Sequence, residues 1–261
     1  MMQHILVTGG TGTLGRHLVP RLQAAGNSIR ILSRSKHEAG NGIEFVSGDL
    51  ATGEGVATAV QGVEIIVHCA GSSKGDEEKT RNLVRAALGT GVRHIVYISV
   101  VGADRVPVKS GIDRAMFGYF ASKLASERII IESGLPWTIL RATQFHDLLF
   151  TVAQMMAKLP IVPAFAGFRY QPVDADDVAA RLAQLTSGGP AGLVSDLGGP
   201  RIYTMVELLS SYLRANHQHR LIIPVWQPGQ AARAHRAGAN LTPDHADGTR
   251  TWEDFLADRL G

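Results

Sequence analysis

Apolar and polar positions along this chain fall into two registers. Short, nearly continuous apolar runs occur at 5–7, 29–32, 43–46, 65–68, 95–98 and 137–140. Runs of that length without polar alternation predict parallel strands covered on both faces. Between them lie stretches with helical spacing, at 13–25, roughly 54–60, 77–88 and 119–133. Gly26, Gly62, Gly91 and Gly134 each stand just past such a stretch, where a left-handed C-cap is commonly required. Strand–helix–strand repetition implies right-handed crossovers, and so an α/β fold with a Rossmann-type doubly wound parallel sheet. Pro20 conflicts locally with the first helix, because it deletes a backbone bond and is expected to kink it.

Beyond residue 142 the pattern is less regular. Helical spacing returns at 150–159, 174–186, 204–215 and 252–260, with a short strand at 193–197. The intervening segment PIVPAFAGFRYQPVD reads as a loop carrying Phe165, Phe168 and Tyr170, which are either core or the wall of an apolar pocket. Asp174 and Asp177 read as an N-cap and an N-terminal charge. Thr204 and Glu207 have capping-box spacing. We therefore expect a Rossmann half at 1–142 and a smaller C-terminal α+β lobe at 143–261.

Composition narrows the function classes. The 261 residues are 45% hydrophobic and 19% charged, ample for a core. A net charge of +3 without a basic stripe gives no reason to expect nucleic acid. The lone Cys69 cannot form an internal disulfide. No window approaches a membrane span, and the amino end lacks the layout of a signal peptide. These features predict a cytoplasmic protein with no membrane partner, and the sequon Asn240-Leu241-Thr242 is read as coincidental. His217-x-His219 has no Cys or carboxylate companion at ligand spacing, so no metal is expected. Arg233, His235 and Arg236 read as a solvated helical face.

The segment ILVTGGTGTLGRHLV at 5–19 carries the chemistry. Gly9, Gly12 and Gly15 follow a strand and open a helix, a setting in which glycines permit a tight turn and a close backbone approach to a pyrophosphate. The unpaired N–H groups and the positive dipole end of that helix suit an anion. The alternative is a tight βα turn with no ligand. At the end of the second strand a carboxylate would favour a free ribose 2′-hydroxyl. Here the run is IRILSRSK, placing Ser33, Arg34 and Lys36 there. Arg34 suits a 2′-phosphate through paired charge-assisted bonds, so NADP is the expected cofactor.

With TGGTGTLG and LSRS in place, further motifs join them: GDL at 48–50, HCAG at 68–71, VRHIVYISVVGAD at 92–104, YFASKLASE at 119–127, WTILRATQFHD at 137–147, VDADDVA at 173–179 and the closing TWEDFLAD. Together they resemble the NmrA-like atypical short-chain dehydrogenases over almost the whole chain. The resemblance implies that Thr11, Thr13 and Leu14 join the glycines at the cofactor. It implies that Asp49 and Leu50 flank the adenine, and that Cys69, Ala70 and Gly71 line the cofactor crevice. Ser99 resembles a cofactor-side serine. The segment at 141–147 follows the sixth strand, so its backbone, with Ala142, Thr143, Gln144, Phe145 and His146, is expected to border the nicotinamide. Read from the residues alone, Asp49 is equally a turn residue or a helix cap, and Cys69 a small buried hydrophobe.

Tyr119 and Lys123 stand four apart on a helical pattern and so share a face. The resemblance makes them the catalytic pair, Lys123 holding the nicotinamide ribose and easing proton exchange at Tyr119. The chain departs from the catalytic pattern at Val101, which occupies the place of a polar residue and cannot donate a hydrogen bond. Gln144 has an amide able to orient a carbonyl. His146 is a proton donor or, more simply, a hydrogen-bonded loop residue. The expected function is an NADPH-dependent oxidoreductase passing hydride to a small apolar carbonyl, quinone or enone. The alternatives are a non-catalytic NADP(H) sensor with a protein partner, or a nucleotide-sugar epimerase or dehydratase.

Overall fold

A computed structural model describes residues 2–35, 37, 40, 42–71 and 75–261. Six apolar segments form the strands of a seven-stranded sheet: β1 (His4–Thr8), β2 (Ser28–Ser33), β3 (Ile43–Ser47), β4 (Ile65–His68), β5 (His94–Val100) and β6 (Trp137–Ala142). A two-residue strand, Gly192–Leu193, adds the seventh, so the order is 3-2-1-4-5-6 with that short strand at the edge. This is the Rossmann strand order. β1 pairs in parallel with both β2 and β4, placing Thr8 beside Leu32 and His68. All four residues of β4 and all seven of β5 are buried, which is why their sequences carry no polar alternation.

Helices α1 (Thr13–Ala24), α2 (Val56–Val60), α3 (Asp76–Ala87) and α4 (Gly111–Ile131) follow. α1 runs through Pro20 without a break. α4 begins eight residues before the expected 119. Ser110 and Asp113 explain this: the Asp113 N–H donates to the Ser110 hydroxyl at 3.0 Å, and the Ser110 N–H donates to the Asp113 carboxylate at 3.1 Å. That reciprocal cap starts the helix in a stretch whose glycines suggest a loop. Gly26, Gly62 and Gly134 adopt the expected positive φ, whereas after α3 it is Gly89, not Gly91, that does so. There the Thr90 hydroxyl donates to the Ala87 carbonyl at 2.7 Å and closes the helix early.

The chain divides into two compact units that interleave along the sequence. The first comprises residues up to Ser99, Ala121–Leu140 and Val178–Ser195; the second comprises Val100–Phe120, Arg141–Asp177 and Asp196–Gly261. The first unit packs Leu6, Ile66, Leu83, Tyr97, Ile130 and Ile139 between sheet and helices.

In the second unit α5 is His146–Met156, displaced from the expected 150–159. The proline-rich segment is not a plain loop. It holds β7 (Ile161–Phe165) and β8 (Arg169–Tyr170). β7 pairs in parallel with a strand at Leu221–Val225, and each carries one proline, tolerated because both are edges of a two-stranded sheet. α6 (Ala175–Gly188), which belongs to the first unit from Val178 on, opens on Asp174, which accepts from the Asp176 N–H at 2.8 Å. α7 (Met205–Ala215) has the expected Thr204–Glu207 capping box. α8 (Gln230–Arg236) does not present the expected solvated face, since His235 is buried. The last helix, α9 (Trp252–Leu260), docks through Trp252, whose indole N–H donates to the Leu208 carbonyl at 3.2 Å.

Candidate functional site

The turn after β1 is shaped by two glycines. Gly9 has φ +71°, and a Cβ there would sit 2.7 Å from the Ala70 nitrogen. A Cβ on Gly15 would sit 2.3 Å from the Gly9 carbonyl oxygen. Both positions therefore exclude a side chain, and the turn folds back with the Gly12 N–H donating to Gly9 O at 3.0 Å. Gly12 caps α1 without a side-chain acceptor, and the first turn of α1 holds no acid. Thr11 and Gly12 are exposed, Thr13 is half-buried, and Leu14 points into the core. A dinucleotide pyrophosphate fits this cradle, because the first turn of α1 offers main-chain amides and a positive dipole end with no acid beside them, and Gly9 and Gly15 leave the backbone open to close approach.

At the end of β2, Ser33 is half-buried and Arg34 exposed. Lys36 lies outside the described residues. The Ser33 carbonyl accepts from the Gly48 N–H at 3.0 Å, so the Asp49–Leu50 turn adjoins the strand end. Asp49 takes the turn role: its carboxylate accepts from the Ala51 N–H at 2.8 Å. Leu50 is buried in the core, and its carbonyl accepts from the Asn82 amide at 2.9 Å.

A buried polar chain supports the end of β4. The Thr80 hydroxyl donates to the Asp76 carbonyl at 2.8 Å, so its oxygen is left to accept from His68 Nε2–H at 3.2 Å. His68 Nδ1 then accepts from the Thr8 hydroxyl at 2.7 Å, whose oxygen accepts from the Ala70 N–H at 3.3 Å. The chain of donors fixes one imidazole tautomer. Burial holds that ring neutral, pushing its pKa down to about 3, with Lys123 adding to the effect. Burial also pushes the half-buried Cys69 thiol up to about 12, so it is no thiolate at neutral pH. Lys123 is buried too. Its ammonium donates to the Ile98 carbonyl at 3.2 Å, lies 3.5 Å from Asp76 Oδ2 and sits 4.9 Å from the centre of the Tyr97 ring. Ser99 is buried at the end of β5, and its hydroxyl has no hydrogen-bond partner among the described residues.

The remaining candidates belong to the second unit. Val101 is fully buried, and its N–H donates to the Ala142 carbonyl at 2.9 Å. Thr143 is tied down, its hydroxyl donating to the Gln171 carbonyl at 2.5 Å. Phe145 is half-buried and bridges to Val173. Gln144 differs: both polar atoms of its amide are buried, and neither has a partner among the described residues. His146 is not the hydrogen-bonded loop residue expected: it opens α5, and neither ring nitrogen has a hydrogen-bond partner among the described residues. Its ring stacks on both Trp252 and Phe255, with centroids at 6.0 and 5.1 Å, and burial lowers its pKa to about 4. Tyr119 is 38% exposed, its ring edge-on to Phe120, one helical turn before the buried Lys123. Phe168 and Tyr170 surround His235 with ring centroids at 4.6 and 5.3 Å, so these aromatics are packed core.

In the first unit the structure thus brings the glycine turn against Ala70, and Lys123 against Gly71. A Cβ on Gly71 would come within 3.3 Å of both Asp76 Oδ2 and Lys123 Nζ. Sequence reasoning missed His68, Thr80 and Asp76 as parts of this assembly. The only signal was local, an acid and a threonine one turn apart at the start of α3. Among the described residues no group of His, Cys, Asp or Glu is placed to hold a metal, and no helix is long and apolar enough to cross a membrane.

Comparison with known proteins agrees with this geometry. A family profile described as NAD(P)H-binding matches residues 9–187. A (4-alkanoyl-5-oxo-2,5-dihydrofuran-3-yl)methyl phosphate reductase of Streptomyces griseus is 31% identical over 209 residues, covering 78% of this chain and 70% of the relative. Quinone oxidoreductase 2 of Escherichia coli is 26% identical over 213 residues, covering 78% and 71%. The crystal structure of an Escherichia coli NADPH-dependent quinone oxidoreductase complexed with NADPH superposes with a TM-score of 0.81 at 20% identity, over 98% of this chain and all of that one. A nucleoside-diphosphate-sugar epimerase of Staphylococcus aureus reaches 0.74 at 19% identity, over 97% and 99%, so fold alone does not choose between these chemistries.

Proposed function

This chain belongs to the NAD(P)H-binding family, and from that premise we propose an NADPH-dependent oxidoreductase acting on a small carbonyl, quinone or enone. The observation that carries the reading is the glycine turn of Gly9, Gly12 and Gly15 before the acid-free first turn of α1. Arg34, at the end of β2 where no acid stands, makes the 2′-phosphate form the preferred one. When bound, NADPH supplies the hydride. The protein's own part is to hold the dinucleotide by main-chain amides and to place it, which accounts for most of the acceleration such enzymes achieve. Lys123 provides a fixed positive charge beneath Gly71. Tyr119, partly exposed to solvent, delivers the proton that the reduced oxygen takes up. The buried amide of Gln144 donates to the substrate oxygen, the role that Val101 cannot fill. The relatives that reduce a quinone and a dihydrofuranone phosphate support the oxidoreductase class.

One observation favours a second reading, a cofactor sensor with a protein partner: the catalytic pattern's polar position is the fully buried Val101. The two readings separate in one assay. Pure protein is mixed with NADPH and a panel of quinones, aldehydes and unsaturated lactones, and the loss of reduced-nicotinamide absorbance is followed. Turnover with at least one panel member is the expected result. Tight NADPH binding with no turnover on any of them transfers the assignment to the sensor.

A further inference from the structure

The strongest unassigned feature of the molecule is the buried carboxylate of Asp76, at the first position of α3. Three groups meet there. Asp76 Oδ2 lies 3.5 Å from the Lys123 ammonium, and Oδ1 lies 3.4 Å from Lys79. Its main-chain carbonyl is the terminus of the Thr8–His68–Thr80 chain, whose other end holds the Ala70 N–H. Side-chain exposures of 1% for Asp76 and 3% for Lys123 mean that water does not compete for either charge. A buried ammonium needs both a counter-charge and hydrogen-bond acceptors to stay ionised. Lys123 finds the acceptor in Ile98 O and the counter-charge in Asp76.

The geometry points to Asp76 as the positioning residue of Lys123: it holds the ammonium charged and in one place directly beneath Gly71. The inference rests on the reading of a dinucleotide in the crevice lined by Ala70 and Gly71. It follows from the fold's wiring. The helix turn carrying Asp76 is tied by hydrogen bonds to the same strand end that forms the crevice wall, so wall and charge move together. Gly71 is exposed, and its missing side chain leaves the field of Lys123 unobstructed. Among the described residues, the other titratable groups around Lys123 include His68 and Cys69 at the end of β4, Lys79 on α3 and Tyr97 on β5, with Tyr119 and the buried Glu127 one helical turn to either side of it on α4. Of the described groups that meet Lys123 from β4, β5 and α3, Asp76 is the one that supplies a negative charge at neutral pH.

Two measurements on the full chain test this. The first needs no cofactor: NMR titration of the Lys123 side chain in wild type and in Asp76→Asn. Without its carboxylate the buried ammonium is expected to lose its proton at markedly lower pH than in wild type. The second is calorimetric titration with NADPH from about pH 6 to about pH 9, the range over which an unpartnered buried lysine would titrate. Asp76→Asn is expected to bind NADPH about tenfold more weakly near pH 8 and to acquire a pH-dependent step that wild type lacks. Asp76→Glu keeps the charge, so it is expected to recover part of the affinity and to remove the step. It also serves as the test variant should Asp76→Asn fail to fold, its altered reach then lowering affinity severalfold. A folded Asp76→Asn, or in its place Asp76→Glu, with wild-type Lys123 titration and wild-type NADPH binding overturns the assignment. A wild type whose Lys123 titrates as expected but which gives no heat with NADPH instead overturns the cofactor reading and leaves the Asp76–Lys123 coupling standing.

Discussion

His68 in the first unit and His235 in the second are equally buried, at 1% and 4% exposure, yet they are built in differently. Both imidazole nitrogens of His68 are engaged, one by Thr8 and the other by Thr80. Neither nitrogen of His235 has a partner among the described residues; the ring is enclosed by Phe117, Phe120, Phe168 and Tyr170. The contrast extends to their neighbourhoods. Around His68 the buried polar groups Thr8, Thr80, Asp76 and Lys123 form one connected chain. In the second unit Gln144 and His146 are likewise buried without partners. A satisfied polar network rigidifies what it touches, whereas an unsatisfied one costs stability and is retained where a ligand or a packing constraint requires it. The polar chain behind Ala70 is therefore assembled in advance, whereas Ser99 in the same unit and Gln144 in the second are buried without a partner among the described residues.

The largest consequence is in acid. Burial depresses the pKa of His68 to about 3 and those of His94, His146 and His235 to about 4. In the unfolded chain these side chains bind protons below their ordinary value near ~6.5, whereas the folded rings stay neutral until far lower pH. Unfolding therefore takes up protons in that window. The stability is fully present above the unfolded value and is lost as pH falls from about 6.5 toward 4. At about 1.4 kcal/mol per unit, each ring costs about 2 kcal/mol by pH ~5, and four together match the whole stability of many domains. Urea midpoints are expected to fall steeply between pH ~7.5 and ~5 at constant salt. A flat midpoint across that range would show that the rings are not held neutral by the fold.

The next prediction sharpens the comparison itself. His68→Leu removes the acceptor of the Thr8 hydroxyl and the donor to Thr80, leaving buried groups unpaired, and is expected to cost about 1–3 kcal/mol for each group orphaned. His235→Leu removes a ring whose nitrogens bond nothing, so its effect is expected within about 1 kcal/mol of zero. Chemical denaturation at pH ~8, where neither ring is protonated, isolates this difference from the acid effect. Equal losses at both positions would erase the distinction between the two units.

How much of this was legible in the sequence follows the same division. The central strands could be read because both faces of β4 and β5 are buried, leaving unmixed apolar runs. The glycine turn could be read because Gly9 takes a positive φ and Gly15 meets the turn's own backbone, both local demands. Local motifs were readable in the second unit too, as the Thr204–Glu207 box shows, but its pairings were not. β7 and the strand at Leu221–Val225 each contain a proline, and only their mutual pairing makes strands of them. The Asp76–Lys123 pair escaped for a similar reason, since the two residues lie far apart in sequence and meet only when α3 and α4 cover the sheet. His235 was assigned to a solvated face because its helix is flanked by arginines, while the aromatic residues enclosing it come from α4 and from around β8.

Arg34 tests the rim of the first unit. It is exposed, so substituting it leaves no buried group unsatisfied and is not expected to change stability. Its contribution is to a ligand phosphate. Arg34→Ala is expected to weaken NADPH about 10–100-fold, the value of one or two charge-assisted hydrogen bonds, with NADH changed by less than about threefold. Calorimetry with both cofactors reads the ratio, and equal losses would remove Arg34 from the 2′-phosphate.

Gln144 gives a small expected change in stability and the most informative one about the second unit. Its amide occupies buried space directly after β6 without a partner among the described residues, and its own main chain is already committed, the carbonyl accepting from the Val173 N–H at 3.0 Å. If the amide is held for a substrate oxygen, Gln144→Leu removes an unsatisfied buried group, and the folded state gains up to about 1 kcal/mol or is unchanged. The same substitution deprives the substrate carbonyl of a donor, and kcat on whichever panel substrate turns over is expected to fall at least about tenfold, with NADPH affinity unaltered. A stability that drops by about 2 kcal/mol or more, with kcat intact, would instead mean that Gln144 supports the fold.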